Sequence, residues 1–263
     1  MTAATTCQRT ILYAATGEAY RQEALNSARS LRPHLQNARV VLFSDAPLES
    51  ALFDQVVVLE QPSFGFMDKI SAMLQAPGDE VLFLDSDTHV AGSVEGLFSL
   101  LRRVDLAAAH APGRLSHLFE VQDRSCRFGL VLPGVPSSFP EFNTGVILYR
   151  KTPAMHALLQ QWRQIYQEQL AFVGQTYGGL HDQPSFRQAV WQSDLHYHVL
   201  TPEDNFRYIF PAVAHGLVRI FHGRDRDMQV QYQRVDAVQD LQRVMNSMSH
   251  TRAYLPRQGQ VVG

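Results

Sequence analysis

Short apolar runs alternate with longer stretches of helical periodicity through the first half of the chain. Ile11–Ala15 predicts a buried strand ending in Thr16-Gly17, and Glu18–Leu31 a helix with Tyr20, Ala24, Leu25, Ala28 and Leu31 on one face. Pro33 stops that helix. Arg39–Phe43, Gln55–Leu59 and Val81–Leu84 predict three more strands, and Met67–Leu74 a helix closed by Pro77-Gly78. The second half is less regular. Asp105–Ala109, Thr144–Tyr149 and Val218–Phe221 read as strands, and Met155–Phe172, Pro184–Trp191 and Val235–Met248 as helices. Residues 111–140, rich in Gly, Pro and Ser, read as a functional loop.

Strand and helix in that rhythm predict an α/β fold with a mostly parallel central sheet flanked by helices. No linker or repeat divides the chain, so a single domain is expected over residues 1–263. Such sheets bind ligands where the carboxyl ends of their strands converge. Thr16, Asp45 and the pair Asp85 and Asp87 all stand at predicted strand ends.

Composition narrows the choice of partner. Apolar residues make up 45% of the 263 residues, enough for a packed core, while the formal net charge of -2 offers no basic field for a nucleic acid. An anionic ligand therefore needs a local solution, such as a metal ion, a helix end or a few placed cations. Cys7 and Cys126 make no disulfide framework and are expected to be free thiols. The polar start of the chain does not read as a signal peptide, and no apolar run approaches the ~20 residues that span a bilayer. A cytoplasmic protein is expected, with peripheral membrane association left open.

Val81-Leu82-Phe83-Leu84-Asp85-Ser86-Asp87 carries the most chemistry. Four apolar residues bury the strand, and two carboxylates emerge together at its end. A divalent cation relieves their repulsion and bridges to a diphosphate. A phosphatase of the haloacid-dehalogenase type uses Asp-x-Asp-x-Thr after an apolar strand, but here the fifth position is His89. A nucleotidyltransferase would place a Gly-rich basic loop after the first strand, and Thr16-Gly17-Glu18 is neither.

With Tyr13-Ala14-Ala15-Thr16, Phe43-Ser44-Asp45, Met67-Asp68-Lys69-Ile70, the Asp85-Ser86-Asp87 run, Phe142-Asn143-Thr144-Gly145-Val146, His181-Asp182-Gln183-Pro184 and Phe221-His222-Gly223-Arg224 in this order, the chain resembles the GT-A-fold glycosyltransferases. It is close in pattern to the glycogenin-like and bacterial lipopolysaccharide galactosyltransferase families, over about residues 10–225. The resemblance implies a nucleotide-binding half over about residues 8–110 and a sugar- and acceptor-binding half over about 111–263. It places Ala14, Ala15, Thr16 and Asp45 at the nucleoside, Tyr20 against the base, and Lys69, Ser86, Thr144, Gly145, Gly223 and Arg224 on the donor. Asp85, Asp87 and His222 would hold the metal, with Mn²⁺ favoured over Mg²⁺ because an imidazole joins the carboxylates. Asn143, Asp182 and Gln183 would act beside the donor sugar.

The residues also have plainer readings. Asn143-Thr144-Gly145 suits a turn, and Asp182 with Pro184 suits a helix start with Asp182 as N-cap. The implied activity is transfer of a sugar from a nucleotide-diphosphate donor, UDP-linked by preference, to an acceptor hydroxyl with retention. Re-reading Asp182 as an acceptor base would give inversion, and a catalytically inactive nucleotide-sugar-binding protein is the other alternative. The family's longer motif, His-x-x-Gly-x-x-Lys-Pro-Trp, is cut here to His222-Gly223-Arg224. The acceptor (saccharide, lipid, protein or small metabolite) is not written in the sequence. Trp162 is expected in the core.

Overall fold

A computed structural model describes residues 7–111, 134–173, 181–207, 213–214, 216–224, 232–235, 244–247 and 250–256. Its main sheet contains β1 (Arg9–Ala15), β2 (Arg39–Ser44), β3 (Gln55–Val58), β4 (Glu80–Leu84), β6 (Leu106–His110), β7 (Phe142–Arg150) and β8 (Tyr197–Leu200). They lie in the order β3-β2-β1-β4-β7-β6-β8. The pairings of β1 with β2 and β4, of β2 with β3, and of β6 with β8 are parallel, whereas β7 is antiparallel to both its neighbours.

Both faces of the sheet are buried, as the continuous apolar strands require. Side chains alternate between two cores: Leu12, Val81 and Phe83 point to one, Ile11, Tyr13, Leu82 and Leu84 to the other. Helix α1 (Glu18–Leu31) covers the second core with Ala24, Ala28 and Leu31, the expected i, i+4, i+7 stripe. Helices α2 (Phe66–Gln75), α3 (Pro153–Val173) and α4 (Gln183–Trp191) cover the first with Ile70, Met73, Leu158, Trp162 and Phe186. Trp162 is fully buried, as expected.

A second, small sheet brings the far end of the chain to the strand ends. It joins β5 (Thr88–Val90), β11 (Ile220–His222) and β9 (Phe206–Arg207). The β11 strand runs antiparallel to β5, with His222 opposite Thr88, and parallel to β9, with His222 opposite Arg207. Because β5 begins directly after Asp87, this pairing sets His222 beside the acidic motif.

One expected element is overturned. In place of the helix Val235–Met248, the described parts form strands: β12 (Tyr232–Val235), β13 (Val244–Ser247) and β14 (His250–Pro256), in a sheet with β10 (Val213–Ala214). Asn246 and Ser247 favour the helix weakly, and antiparallel pairing of β13 with β14 meets their backbone hydrogen-bonding needs instead. Most of the expected 111–140 loop lies outside the described residues, as does Cys126; Cys7 is exposed and free. Among the described residues, no helix is long and apolar enough to cross a membrane.

Candidate metal and donor site

The site is assembled where parallel strands end and an antiparallel one begins. The β4 strand delivers Asp85, Ser86 and Asp87 at its carboxyl end. The neighbouring β7 runs the opposite way, so its first residues, Asn143, Thr144 and Gly145, lie alongside; the Asp85 N–H donates to the Gly145 carbonyl at 2.8 Å. Asn143-Thr144-Gly145 is therefore the start of a strand, not the turn that its composition suggests.

His222 Nε2 lies 3.2 Å from Asp87 Oδ1 and 3.5 Å from Asp85 Oδ2. Ligand atoms of these three residues all lie within 4.8 Å of one another. Two carboxylates and an imidazole make a donor set suited to a divalent cation. Gly145 makes room for the imidazole: a Cβ there would overlap the His222 ring. Gly223, at φ 114°, turns the chain just after His222 and donates its N–H to the Asp87 carbonyl at 3.0 Å.

Lys69 projects from α2 into the gap between Asp85 and Asp182. Its ammonium is 3.0 Å from Asp85 Oδ1, 3.0 Å from Asp182 Oδ2 and 3.1 Å from the Thr144 carbonyl. Burial disfavours the charged amine, but Asp182 and Asp85 outweigh it and raise the Lys69 pKa. Burial likewise opposes ionisation of Asp85, yet Lys69 and then His222 hold its carboxyl below the usual range. Asp87 is also held low against its burial, by His222 first and then by Arg224 and Arg207.

Asp182 occupies the N-cap position of α4, but its carboxylate makes no capping hydrogen bond. The helix thus starts where it was expected, with Asp182 at the N-cap and Pro184 in the first turn, but without the capping bond. Its Oδ1 accepts from Thr144 Oγ1 at 2.8 Å while its Oδ2 faces Lys69, so both oxygens are drawn toward the site. The backbone holds it there: the Asp182 carbonyl accepts from the Trp162 indole at 3.2 Å and from Ser185 Oγ at 2.7 Å. Next along, Gln183 Oε1 accepts from Asn143 Nδ2 at 2.7 Å.

The expected nucleoside residues stand along one edge of this cluster. Ala14 and Ala15 close β1, and Thr16, the next residue, donates its Oγ1 hydroxyl to Asp68 Oδ2 at 2.8 Å. Asp45 accepts from the Gly17 N–H at 2.8 Å and pairs with Arg21. Those contacts outweigh its burial and lower its pKa. Tyr20 is half exposed, and the Arg224 guanidinium sits 5.2 Å from its ring centroid. Arg224 makes two bonds to Glu23, at 2.6 and 2.8 Å, and Ser86 Oγ donates to the same carboxylate at 3.0 Å. Ser86 and Arg224 are thus joined through Glu23, and the Tyr20 ring packs against Arg224.

Sequence reasoning passed over Glu23, Asp68, Asn205 and Arg207. Glu23 lies three residues after Tyr20 on α1, a spacing that puts both on one face. Asp68 stands inside the quoted Met67-Asp68-Lys69-Ile70 run and accepts from Thr16, Ser63 and the Phe64 N–H. Asn205 and Arg207 sit in Asp204-Asn205-Phe206-Arg207, which carries no motif and gave no signal.

Known structures share this arrangement of strands and helices. The glycosyltransferase GlyE of Streptococcus pneumoniae TIGR4 is 20% identical, with a TM-score of 0.57 over 84% of this chain and 56% of GlyE. The chain thus spans little more than half of that protein. Mouse xyloside xylosyltransferase 1 is 16% identical, with a TM-score of 0.52 over 85% of this chain and 99% of its own. The galactosyltransferase LgtC, solved with donor and acceptor sugar analogues, is 15% identical, with a TM-score of 0.52 over 82% and 87%. The chain has the GT-A glycosyltransferase fold. No protein-family model and no curated protein matches its sequence. The GT-A fold leaves the phosphatase reading without support, and His89, which stands where that reading needs a Thr, is exposed on β5.

Proposed function

We propose that this chain is a metal-dependent glycosyltransferase that moves a sugar from a nucleotide-diphosphate donor, UDP-linked by preference, to an acceptor hydroxyl. The observation that carries the reading is the convergence of Asp85, Asp87 and His222 at the carboxyl end of β4 in a GT-A fold. These residues would hold a divalent ion, Mn²⁺ in preference to Mg²⁺ because of the imidazole. The ion's chemistry is to stabilise negative charge on the departing diphosphate.

The chain's own groups supply the rest. Ala14 to Thr16 and Asp45 border the nucleoside, and Tyr20 offers a face for the base. Arg224 and Gly223 lie next to Asp87, on the diphosphate side. Lys69 neutralises Asp85 and Asp182 and fixes their positions, while Asn143 and Gln183 present polar groups to the donor sugar. Retention fits the state of Asp182 better than inversion. A buried carboxylate with one oxygen on Thr144 and the other on Lys69 is engaged within the protein rather than turned to an acceptor hydroxyl.

The test is donor turnover. Incubation with a panel of UDP-, GDP- and ADP-sugars and Mn²⁺ should release a nucleoside diphosphate from at least one donor, and chelation should stop it. Binding without release, in the presence of varied acceptors, would favour the inactive nucleotide-sugar-binding protein.

A further inference from the structure

The buried polar groups behind the metal site form a single directed chain. Its anchor is the Gly145 N–H, which can only donate and lies 3.1 Å from Asn143 Oδ1. That contact fixes which end of the Asn143 amide is oxygen. The Asn205 atom facing the same oxygen, at 2.8 Å, must then be its amide nitrogen. Asn205 Oδ1 is left facing His222 Nδ1 at 2.9 Å. An oxygen acceptor there requires a proton on Nδ1, so that Nε2, when it carries no proton of its own, directs its lone pair at Asp85 and Asp87.

Arg207 is the competing neighbour: its NH1 lies 3.4 Å from His222 Nδ1 and could bond only the opposite tautomer, because guanidinium only donates. The Asn205 contact is the shorter one. Asn205, Asn143 and His222 are all buried, so water does not replace these bonds.

We propose that Asn205 is a positioning residue of the metal site, setting the His222 tautomer so that Nε2 is available as a ligand. This rests on the reading of Asp85, Asp87 and His222 as metal ligands. It also ties the metal to the sugar side, since Asn143 in turn donates to Gln183.

The test is Mn²⁺ titration followed by the electron paramagnetic resonance signal of the free ion, with wild type, Asn205→Ala and Asn205→Asp. Loss of the acceptor behind the imidazole should weaken Mn²⁺ binding about 10–100-fold in Asn205→Ala. Asn205→Asp keeps an acceptor for the Nδ1 proton but sets its second oxygen against Asn143 Oδ1, so its affinity should fall between those of wild type and Asn205→Ala. Unchanged affinity in Asn205→Ala, or equal loss in both folded variants, overturns the inference. Failure of wild type to bind Mn²⁺ overturns the metal site itself, and the inference with it. Should Asn205→Ala not fold, ¹⁵N shifts of the His222 ring in metal-free wild type decide: a protonated Nδ1 supports the role, and protonation at Nε2 alone overturns it.

Discussion

The Lys69 ammonium stands 3.0 Å from Asp182 Oδ2 with both side chains buried. Removing one partner from such a pair leaves an uncompensated charge in the interior, which costs about 3–5 kcal/mol. Lys69→Met should therefore destabilise the protein by that order, measured by urea unfolding. Adding Asp182→Asn should recover part of the loss, leaving the double variant at least about 1 kcal/mol better than the sum of the singles. Additive losses would mean that the pair is not energetically coupled.

Gly145 is expected to tolerate no side chain, because its Cβ would enter the His222 ring. Gly145→Ala should cost about 1–3 kcal/mol through overpacking, or displace the ring. In either case Mn²⁺ affinity falls. A variant of wild-type stability and Mn²⁺ affinity would show that this close approach is not required.

Acid stability should respond to Asp45. Its carboxyl is held below the usual range, so its contribution is full above the unfolded value of about 3.9 and is lost as pH falls through the lower folded value. The unfolded chain binds the extra proton, so stability falls with falling pH. Asp45→Asn should flatten that limb by at most about 1.4 kcal/mol per pH unit, seen by chemical denaturation at a series of pH values. An unchanged slope would place the acid sensitivity elsewhere.

Arg224 offers a separation of stability from binding. Its side chain is half exposed, and exposed ion pairs contribute about 0–1 kcal/mol. Arg224→Ala should barely move the melting temperature yet weaken nucleoside-diphosphate binding about tenfold, as one lost charge-assisted contact does. Equal binding would remove Arg224 from the donor site.

Much of the parallel half of this fold was legible in the chain, because buried strands such as Val81–Leu84 leave unbroken apolar runs. The acidic motif was legible for the same reason: two carboxylates directly after such a run have few inexpensive structural roles. The shortest strands were not. Thr88–Val90 and Phe206–Arg207 are too short to carry a period, and they form only because β11 lies between them. Val235–Met248 misled because its apolar spacing fits a helix, while in its described parts pairing of β12 and β13 with β14 decided for strands. The site's supporting groups were hidden for a related reason. Asn205 acts through a three-dimensional contact with His222 and leaves no mark on its own neighbours in sequence; Gly145 was picked out within its motif, but not for the space it leaves to that ring.

The most direct test of the central claim is calorimetric titration of UDP with and without Mn²⁺, into wild type and Asp87→Ala. The account predicts binding to wild type that requires Mn²⁺ and disappears in the variant. Binding indifferent to the metal and to Asp87, or no binding of UDP or any other nucleoside diphosphate, would contradict it.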